Sequence, residues 1–441
     1  MKPTGVVRGL FQSLRDPLRR NSLLLLATYA VIALFGFFFW RIAEAQYGTE
    51  AVGSAAALVS AVLLVHTLAR LGLDIGLIRY LPTQADKPGM INTSFTIISI
   101  FSIVLALIFL LMVKVWDLGL SFVCDNFWHS LLFVVFTIVV GLSALLRQGV
   151  FVAYRKAESS LAIEVAAGLR LPFLFAFLSL GAFGIFVSWG LAGVTALVLG
   201  IALVMVIDRM YRPIPGIRGR VAGDMVRFSL GNYVAETLRE VPGFVLPIVV
   251  LNVFTAKLGD EAGREMGAYF YIAWTVGSLI TGVSYATGSS LLAESSLEPT
   301  GFRRLAVRAA KFMLLLLVPV ISLVFLLGDR VLGYFGGDYS DNAFPLLRLL
   351  SVSGIPLVLN TIYVTQMRIH KRLWPVIWTY GFVGVFTVAV GYALMDRMDL
   401  LGIGVAWLVS NCLVAVLVGL LMTRAWLRSR GSQGSADVSI S

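Results

Sequence analysis

Twelve stretches of the chain are apolar over nearly their whole length, and most polar residues fall in the links between them. They cover residues 21–43, 51–71, 91–115, 127–146, 161–183, 185–207, 228–254, 266–292, 312–327, 344–367, 373–395 and 401–422. A helix needs about 20 apolar residues to cross a hydrocarbon core of ~30 Å, and most of the twelve reach that length. The pattern predicts an all-α integral membrane protein with twelve transmembrane helices.

The same rhythm runs through the chain twice. Sliding the sequence by 212 positions lays Phe151-Val152 on Tyr363-Val364, Lys156 on Arg368, Leu161 on Leu373, Gly190 on Gly402 and Gly76 on Gly288. Segments five and six then fall on eleven and twelve. The apolar run 161–207 must therefore turn near residues 181–184, as the second half turns near 396–399. Six helices per half is an even number, so the halves form two pseudo-symmetric six-helix bundles related by an axis along the membrane normal. In such proteins the substrate site lies between the repeats near the midplane. The expected organisation is a basic N-terminal segment 1–20, a first bundle 21–208, a linker 209–227, a second bundle 228–428 and a disordered tail 429–441.

Charge orients this arrangement. Assigning the links alternately to two faces places 26 of the 35 Lys and Arg residues on the face that holds both termini, and six on the other. Lys and Arg accumulate in cytoplasmic loops, so both termini are expected to be cytoplasmic. The net charge of +11 follows from this topology and from anionic lipid headgroups, so no nucleic-acid partner is expected. At 59% hydrophobic and 13% charged residues, with a mean hydropathy of +0.89, the composition is that of a membrane protein. The basic start followed by a long first apolar segment argues against a cleaved signal peptide.

Catalytic chemistry finds little footing. Cys124 and Cys412 match no disulfide or metal spacing, and His66, His129 and His370 have no partner at ligand or catalytic spacing. No phosphate-cradling loop and no dinucleotide fingerprint occurs, and no link is long enough to hold a catalytic domain. No cofactor or metal is expected, and the reading that remains is transport without covalent chemistry.

Residues 68–82, LARLGLDIGLIRYLP, follow segment two at a face boundary. Together with LRQGVFVAYRKAESSL at 146–161 and LGIGVAW at 401–407, they resemble the polysaccharide flippases of the multidrug/oligosaccharidyl-lipid/polysaccharide exporter superfamily. The major facilitator class differs at the loop after segment two, where this chain has Gly72-Leu73-Asp74-Ile75-Gly76. The resemblance implies a plasma-membrane protein that moves a lipid-linked oligosaccharide or polysaccharide precursor from the inner to the outer leaflet by alternating access. It would be coupled to H+ or Na+, among membrane lipids and beside glycan-assembly enzymes. Two alternatives stay open. One is a cation-coupled multidrug or metabolite exporter of the same superfamily, and the other a non-transporting scaffold or enzyme of cell-surface glycan assembly.

Ionisable residues inside spans mark candidate sites, because they face a protein interior or a wet cavity. Glu236, Arg239 and Glu240 share one helical face in segment seven, beside Pro242, which is expected to kink the helix. Glu164 and Arg170 lie in segment five on different faces. Arginine binds phosphate oxygens in bidentate fashion, so Arg170 and Arg239 are candidates for a diphosphate, with Glu164, Glu236 and Glu240 as counter-charges. The competing reading is plain ion pairing between helices. His66, Arg70 and Asp74 form a stripe at the end of segment two, either a gate or a shallow snorkelling face, and Arg348 is a second gate candidate. The Ser, Thr and Gly residues of segment eight suit close helix packing or hydrogen bonds to sugar. Trp40, Trp189, Trp378 and Trp407 suit sugar stacking or interface anchoring.

Overall fold

The computed structural model describes residues 17–116, 119–297 and 301–437. Each apolar segment is a helix. In chain order they are α1 (Pro17–Tyr47), α2 (Thr49–Ala69), α3 (Lys87–Trp116), α4 (Phe127–Ala153), α5 (Ala157–Ala176) and α6 (Ala182–Ile207). The second half supplies α7 (Gly219–Leu258), α8 (Asp260–Leu297), α9 (Phe302–Gly333), α10 (Gly337–Ile369), α11 (Leu373–Met398) and α12 (Leu400–Asp437). Eleven of these, α2 to α12, are long and apolar enough over their described residues to cross a membrane. Leu107, Leu111, Leu315 and Leu326 stand exposed on α3 and α9, as lipid-facing side chains do. The protein is a multi-pass membrane protein.

The turns between helices record the repeat. Gly48 and Gly259 are single residues with φ of 82° and 90° that join α1 to α2 and α7 to α8. Each accepts the same bond, Val52 N to Gly48 O at 3.2 Å and Gly263 N to Gly259 O at 2.9 Å. Arg155 and Lys371, with φ of 55° and 57°, end α4 and α10 in matching Schellman turns. There Lys156 N donates to Phe151 O at 2.8 Å and Arg372 N to Met367 O at 2.9 Å. Gly181 and Asp399, with φ of 54° and 49°, open α6 and α12. Equivalent turns are therefore 211, 216 and 218 positions apart. The uniform offset of 212 fits the first turn to within one residue and falls short by four and six at the others, so Lys156 corresponds to Arg372 rather than Arg368. The slip is between one and two helical turns, over which two apolar helices superpose almost equally well.

Chain ends and linker differ in detail from the sequence reading. Residues 1–16 and 438–441 lie outside the described residues, and Pro17 occupies the first turn of α1, where its missing N–H costs nothing. Most of the segment read as a disordered tail continues α12 to Asp437, since each residue added to a formed helix gains one backbone bond. Within 209–227, residues 211–218 carry no regular secondary structure and the chain is already helical from Gly219.

The chain divides into two compact units. The first comprises Met1–Thr237 and Pro247–Ala268, the second Leu238–Leu246 and Tyr269–Ser441. Most of α7 thus packs with the first unit, where a linker at 209–227 would have put it in the second. The reason is close packing that hydropathy does not reveal. A Cβ on Gly72 would lie 2.7 Å from Ser229 Cβ and 2.9 Å from Tyr233 Cβ of α7, and Tyr233 Oη donates to Leu68 O at 2.7 Å. Leu73, Leu77, Ile98, Leu145, Phe151 and Tyr211 centre the core of the first unit, and Ile280, Met313, Leu317 and Val358 a core of the second.

Candidate functional site

A polar cluster of the first unit is assembled where α4 changes its winding. α4 is α-helical to Leu145, passes through a π-helical turn over Leu146–Val150, and regains α geometry at Phe151–Ala153. Single π-turns of this kind concentrate at functional sites. Here the turn directs successive side chains to different helices. Arg147 Nη1 ion-pairs with Glu164 Oε1 on α5, and the Arg147 carbonyl accepts from Ser160 Oγ at 3.2 Å. Gln148 Oε1 accepts from Arg70 Nη1 at 3.1 Å.

Arg70 stands where α2 ends. Leu71 and Gly72, with φ of 50° and 72°, turn the chain into the short helix Leu73–Tyr80. Asp74 of that helix returns to 3.6 Å from Arg70 Nη1. One turn before Arg70, His66 Nδ1 lies 3.6 Å from the point where a Cβ on Gly141 would stand, and Ser102 Oγ lies at the same distance from it. His66, Arg70 and Asp74 are only 7%, 8% and 8% exposed. The stripe is therefore buried, and the shallow snorkelling reading is corrected. Gln148 covers Arg70, and Gly149 packs against the Asp74 backbone, which a Cβ there would approach to 3.2 Å.

The other candidates separate. Arg170 begins the second piece of α5 after a break at Gly168 and Leu169, and its guanidinium lies 5.6 Å from the Phe39 ring. Pro172 cannot donate to the Gly168 carbonyl, and Leu171 N takes that bond at 3.0 Å. Glu164 and Arg170 do fall apart, and Glu164 pairs with Arg147 on α4. In the second unit Arg239 Nη2 is 2.9 Å from Glu240 Oε1, and its guanidinium lies 4.8 Å from the Tyr285 ring of α8. Glu236 sits one turn earlier on α7, within the stretch that packs with the first unit. Helix α7 runs unbroken through Pro242, and a Cβ on Gly384 would meet the Pro242 ring at 2.9 Å and the Leu238 carbonyl at 3.2 Å. The Leu238 carbonyl, to which Pro242 cannot donate, is thus covered by α11. Arg348 is exposed, 4.0 Å above Phe344.

Several polar residues escape a sequence reading. Arg147 ends an apolar segment and counts as a loop charge, yet it is the partner that holds Glu164. In the second unit a buried seam joins α10, α11 and α12. Asn360 Nδ2 donates to Asn411 O at 3.1 Å, Trp407 Nε1 to Ser353 Oγ at 2.9 Å, and Thr387 Oγ1 is 3.2 Å from Ser410 Oγ. Asn and Ser within spans are the only signal that could have flagged it. Several α8 hydroxyls are used within their own helix. Thr287 Oγ1 bonds Val283 O at 2.8 Å and Ser289 Oγ bonds Tyr285 O at 3.1 Å. Among the indoles, Trp407 is tied into the seam and Trp378 is exposed. Among the described residues no group of three or more His, Cys, Asp or Glu side chains could hold a metal ion.

No family model and no curated protein matches the sequence. Solved structures do match. An inward-facing multidrug-resistance MATE transporter of the MOP superfamily superposes with a TM-score of 0.65 at 16% identity, over 92% of this chain and 98% of that one. The lipid II flippase MurJ, in an inward closed conformation, gives 0.67 at 10% identity over 91% and 87%. The chain shares the fold of these two proteins. A MOP transporter from Pyrococcus furiosus, described as having a binding pocket of reversed polarity, adds 0.53 at 18% identity over 96% and 97%. At these identities the likeness is one of fold, and each neighbour's cargo belongs to that neighbour.

Proposed function

We propose that the protein is a flippase of the plasma membrane. It moves a lipid-linked oligosaccharide or polysaccharide precursor from the inner to the outer leaflet by alternating access, coupled to H+ or Na+. The observation that carries this reading is the Arg239–Glu240 pair beside Tyr285. A guanidinium some 20 Å into α7, counted from Met225 at 1.5 Å per residue, is costly to keep in a span unless it serves a buried anion. Glu240 neutralises it at rest. A lipid diphosphate would displace the carboxylate and take bidentate hydrogen bonds from the guanidinium. Arg170 offers a second guanidinium in the first unit. Cation uptake by Glu236 or Glu240 would release Arg239 and couple the two ligands.

A multidrug exporter is the second reading, favoured by the MATE neighbours. Such a protein needs acidic groups for an organic cation, whereas the glutamates of the apolar segments, Glu164, Glu236 and Glu240, are outnumbered there by arginines, Arg170, Arg239 and Arg348 among them. Flipping of a fluorescent lipid-diphosphate oligosaccharide in proteoliposomes decides between them. Arg239→Ala and Arg170→Ala should each abolish flipping at normal membrane levels, Arg239→Lys should restore part of it, and Glu236→Gln should weaken ion dependence more than substrate binding. Wild-type rates in both alanine variants would remove the arginines from the site. Failure of the wild type to flip the probe, together with efflux of an organic cation, would favour the exporter.

A further inference from the structure

Residues 208–218 join the two halves of the sequence, and they form an ordered strap on the first unit. Tyr211 is fully buried in the core. Asp208 accepts from Tyr154 Oη at 3.0 Å and from Met210 N at 3.1 Å. Side chains from the first turns of α3 then hold the backbone. Asn92 Nδ2 donates to Arg212 O at 2.8 Å, Gly216 N donates to Thr96 Oγ1 at 3.0 Å, and Arg218 N donates to Thr93 Oγ1 at 3.2 Å. Arg218 also ion-pairs with Asp86. Pro213 and Pro215 restrict the strap further.

A backbone fixed in this way holds its outward side chains in place. Met210, Ile214 and Ile217 are 81%, 64% and 54% exposed. Between the strap and α3 lies a cavity of about 480 Å³, lined by these three with Arg212, Arg218 and Asn92. That volume falls in the usual range for small-ligand sites. Single exposed apolar side chains need no explanation, but three on one short rigid strap do. The strap begins directly after Ile207, the last residue of α6, and so stands at the polar edge of a span. Apolar side chains there meet the headgroup and acyl boundary, and arginines meet phosphates. Arg212 spends Nη1 on the carbonyls of Arg209 and Tyr211, at 3.1 and 2.9 Å. A guanidinium has five donors, which leaves others for a ligand.

We propose that the strap is a binding site for an anionic phospholipid. Arg212 takes the headgroup phosphate at the mouth of the cavity, and Met210, Ile214 and Ile217 enter the acyl region. Basic and apolar side chains interleave along the strap, which matches a ligand with a charged head and an apolar tail. The proposal does not depend on what the protein transports.

Full-length protein carrying Cys124→Ser, Cys412→Ser and Ile214→Cys is spin-labelled at position 214. It is reconstituted either in phosphatidylcholine or with one third phosphatidylglycerol. With phosphatidylglycerol the label should be reached by oxygen and shielded from an aqueous nickel chelate. Native mass spectrometry should find phosphatidylglycerol retained over phosphatidylcholine. Arg209→Gln with Arg212→Gln should cut that preference about five-fold per arginine. Met210→Ser with Ile217→Ser, which alters only exposed side chains, should reduce shielding in a monodisperse protein. Equal nickel access in both lipids overturns the proposal, as does equal shielding in both. Shielding that appears only on adding a soluble protein fraction would assign the strap to a protein partner and also overturn it.

Discussion

Removing the carboxylate that holds Arg147 tests whether the π-turn of α4 is built around an ion pair. In Glu164→Gln the guanidinium keeps its position but loses its counter-charge. The Glu164 side chain is 13% exposed and that of Arg147 28%, so the pair is neither fully dry nor freely solvated. Breaking a fully buried pair costs ~3–5 kcal/mol, and losing one charge-assisted hydrogen bond ~1.5–3 kcal/mol. Water reaching Arg147 favours the lower range, and about 2 kcal/mol is expected, or ~30-fold in the unfolding equilibrium. Arg147→Met alone should cost a similar amount by stranding Glu164. The double variant Arg147→Met/Glu164→Leu should return to within about 1 kcal/mol of wild type, since no stranded charge remains. Reversible unfolding in mixed detergent micelles, followed by helical circular dichroism, gives the four corners of the cycle. A Glu164→Gln variant as stable as wild type would refute the reasoning, and so would a double variant as unstable as the sum of the two singles.

Two other outcomes follow from residues outside the spans and from the loops. Burial raises the Tyr211 phenol from its usual 10.0 to about 12, so folding favours its neutral form. Tyr211→Phe and wild type should melt alike below pH ~10 and wild type should fall behind as pH rises towards ~12; parallel curves throughout would show that Tyr211 is not the strap's plug. Tags within 212–223 and at the C-terminus should be protected in intact cells, while tags at 260–264 and 338–341 are labelled; labelling of all four from one side would dismantle the expected orientation.

The spans were legible in the sequence because a bilayer imposes one requirement on every helix that crosses it, about 20 apolar residues. Each of the twelve segments is a helix, from 21–43 inside Pro17–Tyr47 to 401–422 inside Leu400–Asp437. The doubling of the pattern was legible too, but its register was not. Slips of a turn or two cost little in an apolar alignment, and only the turns at Gly48, Arg155 and Gly181, matched by Gly259, Lys371 and Asp399, reveal where the offset grows. Charges within spans stand out in the sequence, since lipid penalises them wherever they stand. Their partners were hidden. Arg147 meets Glu164 from another helix, 17 positions away, through a π-turn that no periodicity announces. Arg70 and Asp74 escape the snorkelling expected of a helix end because Gln148 and the Gly149 turn close over them. The strap reads as a plain linker in composition, and only Asn92, Thr93, Thr96 and the buried Tyr211 make it rigid. Transfer from water to lipid is a property of each segment by itself, so it is written locally along the chain. Pairing, burial and register depend on which side chains other helices bring near, and that is decided only when the helices pack.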